Sequence, residues 1–396
     1  MTEVYHERLK SPIPRSELDR RTAEIQKAMK EANIDCILAQ NISQYLGGCN
    51  RYITDTTAEI NYPQSSILPS EGEVRYIACS GPPLDLYPPS HLLRIGKPLA
   101  AAPYFSTFNY TNDWEGIMFV KWAKENNVKR IGVPGFEMLN WNYYDYIVKN
   151  MPNVEIIDVS SMFDEIRAVK SKDEIKFLRK SAQVLDKVMA YVPAIAQPGV
   201  KEYEIRSKLM QLVADLGGDE MIVTMGSVSE DEKLVLYPSF FQNRTLKLGD
   251  KLYIKLECSG PGAMFTTLGR AFSIGCEPSD EMLKELEEVL KAQKILVGLL
   301  KVEANPKEIY NKYNEYLKEN GYEVETSNFA YGLGYDHIER PSIQSEETMA
   351  LKDNMCMAVN TSTLSEEKAM FLADTFLLTS EGPEKLTNTK QIIFRT

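Results

Sequence analysis

The segment Ser171-Lys-Asp-Glu174 limits the fold more than any other. It is a reciprocal helix-start signal: the serine side chain caps the amide three residues on, and the glutamate reaches back. Ile175, Leu178, Ala182 and Leu185 then recur at helical spacing, and Pro198-Gly199 ends the run. Tyr203, Ile205, Leu209, Leu212 and Val213 mark a second helix. Met282, Leu283, Leu286, Val289, Leu290 and Leu296 mark a third. Leu252-Tyr-Ile-Lys-Leu-Glu-Cys258 alternates like a strand, and strand signals return from Met355 through Val359 and over 371–378. Helices interleaved with long strands predict an α+β domain whose helices cover one face of a curved sheet.

Upstream of Ser171 the rhythm differs. Leu18, Ile25 and Met29 share one face of a helix over 16–32, and residues 34–39 read as a buried strand. Residues 66–77 read as strand, turn and strand, and a helix near 114–127 precedes a strand at 130–133. This alternation predicts an α/β domain over 1–160, followed by the second domain over 161–396. A chain of 396 residues has room for both.

Composition narrows the function. The net charge of −11 argues against a nucleic-acid surface, which needs clustered Lys and Arg. The most apolar stretch, 295–300, is far short of the ~20 residues needed to span a membrane. The opening residues carry no apolar run, so no export signal is expected, and the six cysteines, none in a C-x-x-C pair, are expected to be reduced thiols in the cytoplasm. The three histidines, His6, His91 and His337, are too few for a multi-histidine metal site.

Five segments in order carry a resemblance. They are Phe163-Asp-Glu-Ile-Arg-Ala-Val-Lys-Ser-Lys-Asp-Glu-Ile175, Leu246-Lys-Leu-Gly-Asp250, Gly269-Arg-Ala-Phe272, Gly332-Leu-Gly-Tyr-Asp-His-Ile-Glu-Arg-Pro341 and Ala373-Asp-Thr-Phe-Leu-Leu-Thr-Ser-Glu-Gly-Pro-Glu-Lys-Leu-Thr387. Together they resemble the creatinase / Xaa-Pro dipeptidase / methionine aminopeptidase family. The segment Ala39-Gln-Asn-Ile-Ser-Gln-Tyr-Leu-Gly-Gly48 is similar to that family's amino-terminal domain. The resemblance implies an α/β amino-terminal domain, a carboxy-terminal "pita-bread" domain with its active site in the concavity of the sheet, and a homodimer. In the family's metallopeptidases, two aspartates, a histidine and two glutamates hold two metal ions, and a bridging hydroxide attacks the substrate.

This chain departs from that pattern at each position. The first aspartate matches Leu256, with the acidic Glu257 one residue along, and the second matches Thr267. The histidine matches Tyr331, and the glutamates match Asn360 and Ala373. The expectation is a site without metal and without any other cofactor. Creatinase resembles this case, being a metal-free relative that hydrolyses a small guanidino acid. Its key positions are also replaced here, by Leu236, Tyr237, Pro238, Gly269 and Asn360.

The remaining groups with chemistry are few. His337 is one step from a family histidine near Ile338, a displacement that a strand would turn to the other face and a loop or bulge would restore. Asp336, His337, Glu339 and Arg340 place acids, a base and a guanidinium together; they suit either general acid/base work or a solvated salt-bridged turn. Thr267, Tyr331 and Asn360 are neutral donors suited to a polar ligand or a developing oxyanion, or to filling vacated space. Only one of Glu257 and Cys258 can face the concavity. Glu257 there would be a usable general base, and a lone cysteine more often packs in a core. Arg51 stands where creatinase-like dimers send first-domain residues into the neighbouring pocket, where it would grip a substrate carboxylate. Tyr104, Phe105, Phe108, Tyr110 and Trp114 suit that pocket, a dimer interface or core.

The expected function is a metal-independent hydrolase or C–N lyase for a small amino-acid-like substrate. His337, Glu257 and Tyr331 are its catalytic candidates, with Arg51, Thr267, Asn360, Asp336, Glu339 and Arg340 as substrate-binding candidates. Two alternatives stay open. One is a pita-bread pseudoenzyme that binds a metabolite or partner, and the other is an Xaa-Pro peptidase if the ligand register is different.

Overall fold

The computed structural model describes residues 11–41, 47–56, 62–80, 94–103 and 113–396. Of the candidates named above, His6, His91, Tyr104, Phe105, Phe108 and Tyr110 lie outside them. The chain divides into two compact units, the first ending at Arg167 and the second running Ala168–Thr396.

In the first unit, helix α1 (Arg15–Glu31) leads into β1 (Cys36–Asn41), followed by α2 (Gly48–Thr54), β2 (Gln64–Pro69), β3 (Arg75–Ser80) and β4 (Lys97–Pro103). Then come α3 (Trp114–Glu125), β5 (Arg130–Val133), α4 (Trp141–Asn150) and β6 (Glu155–Asp158). The strands form one mixed sheet ordered β4-β3-β2-β1-β5-β6. Cys36, Leu38, Ile131 and Val133 of its centre pack against Phe119 and Ala123 of α3 and Ile147 of α4. Burying each large apolar side chain of this kind contributes about 1.5–3 kcal/mol. Helix α5 (Ser160–Ala168) buries Phe163 edge-on against Tyr52, with ring centroids 5.7 Å apart. That contact ties α5 to the first unit and carries the unit's end beyond residue 160.

The second unit opens with α6 (Lys172–Ile195), and both halves of its capping box form. The Glu174 amide donates to Ser171 Oγ at 3.2 Å, and the Ser171 amide donates to Glu174 Oε2 at 2.7 Å. Next come α7 (Glu202–Asp215), β7 (Glu220–Val228), β8 (Lys251–Ser259), β9 (Phe265–Ser273), α8 (Asp280–Leu299) and α9 (Pro306–Glu319). The chain then runs through β10 (Ala330–Gly332), β11 (Glu339–Ser342), β12 (Cys356–Leu364) and β13 (Ala369–Leu377), with two-residue strands at Glu384–Lys385 and Phe394–Arg395. The long strands pair in the order β11-β10-β12-β13-β9-β8-β7.

Side-chain alternation gives this sheet two unlike faces. Leu252, Ile254, Leu256 and Cys258 of β8 join Leu185, Val188 and Val192 of α6 and Ile205, Leu209 and Val213 of α7 in one apolar cluster. Met357 and Val359 of β12 pack likewise with Ala292 and Leu296 of α8 and Ile309 and Leu317 of α9. Behind β9 and β13 lies a polar knot in which Arg270 and Asp374, both fully buried, pair at 2.7 Å. The guanidinium also donates to the carbonyls of Gly269, Ala373, Thr389 and Lys390, and Thr387 Oγ1 donates to Asp374. The opposite face carries the cavity.

Candidate active site

The alternation that sends Leu256 to the helices sends Tyr253, Lys255 and Glu257 the other way. They line a cavity of about 380 Å³ in the second unit, a size that suits a small molecule. Tyr331 of β10, Asn360 and Ser362 of β12 and Phe371 of β13 extend its wall. His337 enters from the loop between β10 and β11, and Glu325 and Ser327 from the segment before β10.

Glu257 is buried, and both of its oxygens are engaged. The Tyr331 hydroxyl donates to Oε1 at 2.8 Å, and the Lys255 ammonium lies 3.2 Å from Oε2. Burial first, then the Glu257 charge and the hydrogen bond to it, push the Tyr331 phenol well above its ordinary range, against a hydrogen bond from Asn360. Tyr331 therefore stays a protonated donor. Two polar atoms of the cavity, His337 Nδ1 and Asn360 Oδ1, are buried with no hydrogen-bond partner among the described residues. Buried polar atoms are rarely left so, and here both belong to residues that line the cavity.

Tyr253 fills the space behind this group. A Cβ built on Gly269 would lie 2.0 Å from the Tyr253 hydroxyl and 3.0 Å from the Ala373 Cβ. Gly269 and Ala373 are paired across β9 and β13, and Ala373 is paired in turn with Asn360. The phenol thus occupies the volume into which longer side chains at 269 and 373 would project.

A family model described as Metallopeptidase family M24 matches residues 176–380, slightly more than half of the chain. The chain belongs to metallopeptidase family M24. It is 23% identical over 323 residues to the Xaa-Pro dipeptidase of Pyrococcus furiosus, a match covering 80% of this chain and 88% of that protein. Among solved structures it superposes on the prolidase from Thermococcus sibiricus with a TM-score of 0.78 at 20% identity, covering 96% and 99% of the two chains. The X-Pro aminopeptidase from Thermotoga maritima superposes equally well, with a TM-score of 0.78 at 17% identity over 95% and 99%. The fold is therefore the two-domain pita-bread fold of that family.

The donor set does not fit a dinuclear M24 centre. The acids lining the cavity are Glu257 and Glu325, the imidazole is His337, and the nearest cation to Glu257 is the chain's own Lys255. Among the described residues, no group of three or more His, Cys, Asp or Glu side chains comes together to hold an ion.

Of the residues singled out from sequence, the fold brings Glu257, Tyr331, His337 and Asn360 to this one cavity. The register question resolves toward Glu257, because Leu256 is fully buried among the helices and Glu257 stands opposite Thr267 in the β8–β9 pairing. Cys258 points to the helix side, where burial pushes its thiol up to about 12. His337 reaches the cavity because residues 333–338 form a loop rather than a strand.

Five residues expected to bind substrate are not part of the cavity wall. Thr267 is fully buried in β9, where its amide donates to Thr375 Oγ1 at 2.8 Å. Glu339 folds back beneath the loop, accepting from the Tyr335 amide and from Lys170, each at 2.8 Å. It also accepts from the Asp336 amide at 3.3 Å, and Asp336 itself is buried. Arg340 grips Glu347 through two hydrogen bonds, at 3.0 and 2.5 Å. These contacts make Glu339 and Arg340 supports of the loop that carries His337, rather than parts of the wall. Arg51 lies in α2 of the first unit, where its charge acts on Asp55.

Lys255, Glu325, Tyr253 and Ser362 were not singled out from the sequence. Lys255 and Tyr253 were within reach, being two and four residues before Glu257 on an alternating strand.

Proposed function

We propose that this chain is a metal-independent hydrolase that cleaves a C–N bond in a small amino-acid-like or N-substituted amino acid, not a peptide. The observation that carries this reading is the cavity's chemistry: one imidazole with a free nitrogen, beside a carboxylate already countered by a lysine and a tyrosine. His337 takes a proton from water, and the hydroxide oxygen adds to the carbon of the C–N bond. The same imidazole returns the proton to the departing nitrogen as that bond breaks. Lys255, held by Glu257, supplies a positive charge for the oxyanion that develops, and Tyr331, whose hydroxyl donates to Glu257, fixes that carboxylate. Asn360 Oδ1 accepts from a substrate N–H.

In this reading the protein acts in the cytoplasm as a homodimer, with Arg51 of the partner subunit gripping the substrate carboxylate. No helix among the described residues is long and apolar enough to cross a membrane. The test is turnover of a panel of N-substituted amino acids in the presence of EDTA. Wild type is expected to turn over at least one of them, and His337→Ala to lose about 10²–10⁴-fold in kcat/KM. A His337→Ala variant with full activity removes this assignment. Glu257 having both oxygens occupied favours a second reading, a pseudoenzyme that binds a metabolite without reaction, and saturable binding with no turnover by wild type would support it.

A further inference from the structure

Glu325 is the one acid of the cavity wall that the mechanism does not use. It is 8% exposed, and its carboxylate accepts from Ser327 Oγ at 2.7 Å on one oxygen and from Ser362 Oγ on the other. Asn314 fixes its backbone from both sides, accepting from the Glu325 amide at 2.7 Å and donating to its carbonyl at 3.2 Å. Such a built setting holds the side chain in one place. Yet no Lys, Arg or His among the described residues forms an ion pair with it, whereas Glu257 on the same cavity has Lys255.

A carboxylate taken out of water costs several kcal/mol unless a cation or a full set of hydrogen bonds offsets it. Two hydroxyl donors leave lone pairs on both oxygens unused. The missing partner is a positive charge, and the cavity is where it can arrive. The Tyr253 and Phe371 rings, 5.4 Å apart between centroids, line the same space and add π faces that attract a cation. Asn360 Oδ1 adds an acceptor with no partner among the described residues.

We propose that Glu325 is the receptor for a positively charged nitrogen of the ligand, an ammonium or guanidinium carrying N–H donors. The proposal rests on this cavity being the binding site and sharpens the substrate class: the small molecule is cationic at the end that meets Glu325. It does not require that the bound molecule be turned over.

Calorimetric titration of the full-length protein at pH 7.5 tests this, with methylamine, methylguanidine and sarcosine as cationic probes and acetamide and N-acetylglycine as uncharged-nitrogen controls. At least one cationic probe is expected to bind wild type, with Glu325→Gln weakening it about tenfold or more, as the loss of a charged hydrogen bond predicts. Each control is expected to bind the two proteins alike. Ser327→Ala keeps the charge and is expected to stay within about threefold of wild type. If Glu325→Gln does not fold, Glu325→Asp, which withdraws the charge by one methylene, is expected to show the weakening instead. Absence of binding by every cationic probe, or equal affinity in wild type and the Glu325 variants, overturns the proposal. Cation binding that depends on Glu325 in a protein without turnover would leave the receptor standing and remove the hydrolase reading. Turnover that ignores Glu325→Gln would do the reverse.

Discussion

Two polar clusters on opposite faces of the large sheet are held on opposite terms. On the helix face, the carboxylate of Asp374 meets Arg270, Thr387 and Gln391, and the guanidinium meets four carbonyls besides. On the cavity face, Glu325 meets only hydroxyls, and His337 Nδ1 and Asn360 Oδ1 meet nothing. The first arrangement is closed and serves the fold; the second is left open on the side where a ligand enters. The open acceptors of the cavity are free to meet a ligand, so function is to be sought there.

The largest effect expected from this contrast is on the closed face. Asp374→Ala leaves Arg270 buried without its counter-charge and is expected to cost about 3–5 kcal/mol in urea unfolding. Asn360→Ala, on the open face, is expected to cost less than about 1 kcal/mol. Similar losses from both would erase the distinction.

The first unit offers a check on the same physics. Among the described residues, Glu115 is buried with Ser65 and Gln40 as its only hydrogen-bond donors, at 2.6 and 2.7 Å, and burial pushes its carboxyl up to about 7. The folded state therefore holds a proton that the unfolded state, titrating near 4.5, releases. Its contribution is most favourable below pH 4.5, falls as pH rises toward 7 and is level above that. Glu115→Gln is expected to flatten this fall, worth about 3 kcal/mol, in urea midpoints measured from pH 5 to pH 8. An unchanged pH profile would show that a buried acid without a cation is not penalised here.

A smaller effect concerns the volume behind the site. Gly269→Ala forces a methyl group against the Tyr253 hydroxyl and is expected to cost about 1–3 kcal/mol. Combining it with Tyr253→Phe, which removes the nearest atom, is expected to recover part of that loss in a double-mutant cycle. Additive losses would mean that the phenol does not occupy the space.

Much of this was legible in the chain. The capping box at Ser171 forms as spaced, and the alternation over 252–258 separates the two faces of β8 residue by residue. The same alternation places Lys255 on the face of Glu257, two residues away. His337 was ambiguous because strand parity and loop geometry give opposite directions, and the loop won. Helix α9 begins with Asn305 and Pro306, a readable cap and first-turn proline, although its apolar stripe was not picked out. Glu325 carried no local signal. Its importance comes from Ser362, 37 residues away, and from the cavity they share. Glu339 and Arg340 misled for the same reason: Lys170 and Glu347, which claim them, are not apparent from the short motif they share with His337.

The central proposal is that the cavity lined by Glu257, Lys255, Tyr253, Tyr331 and Asn360 works without a bound metal ion. Inductively coupled plasma mass spectrometry of protein purified without chelator tests it directly. The account predicts well under one transition-metal ion per chain; two Mn, Co or Zn ions per chain, lost together with activity on dialysis against EDTA, would contradict it.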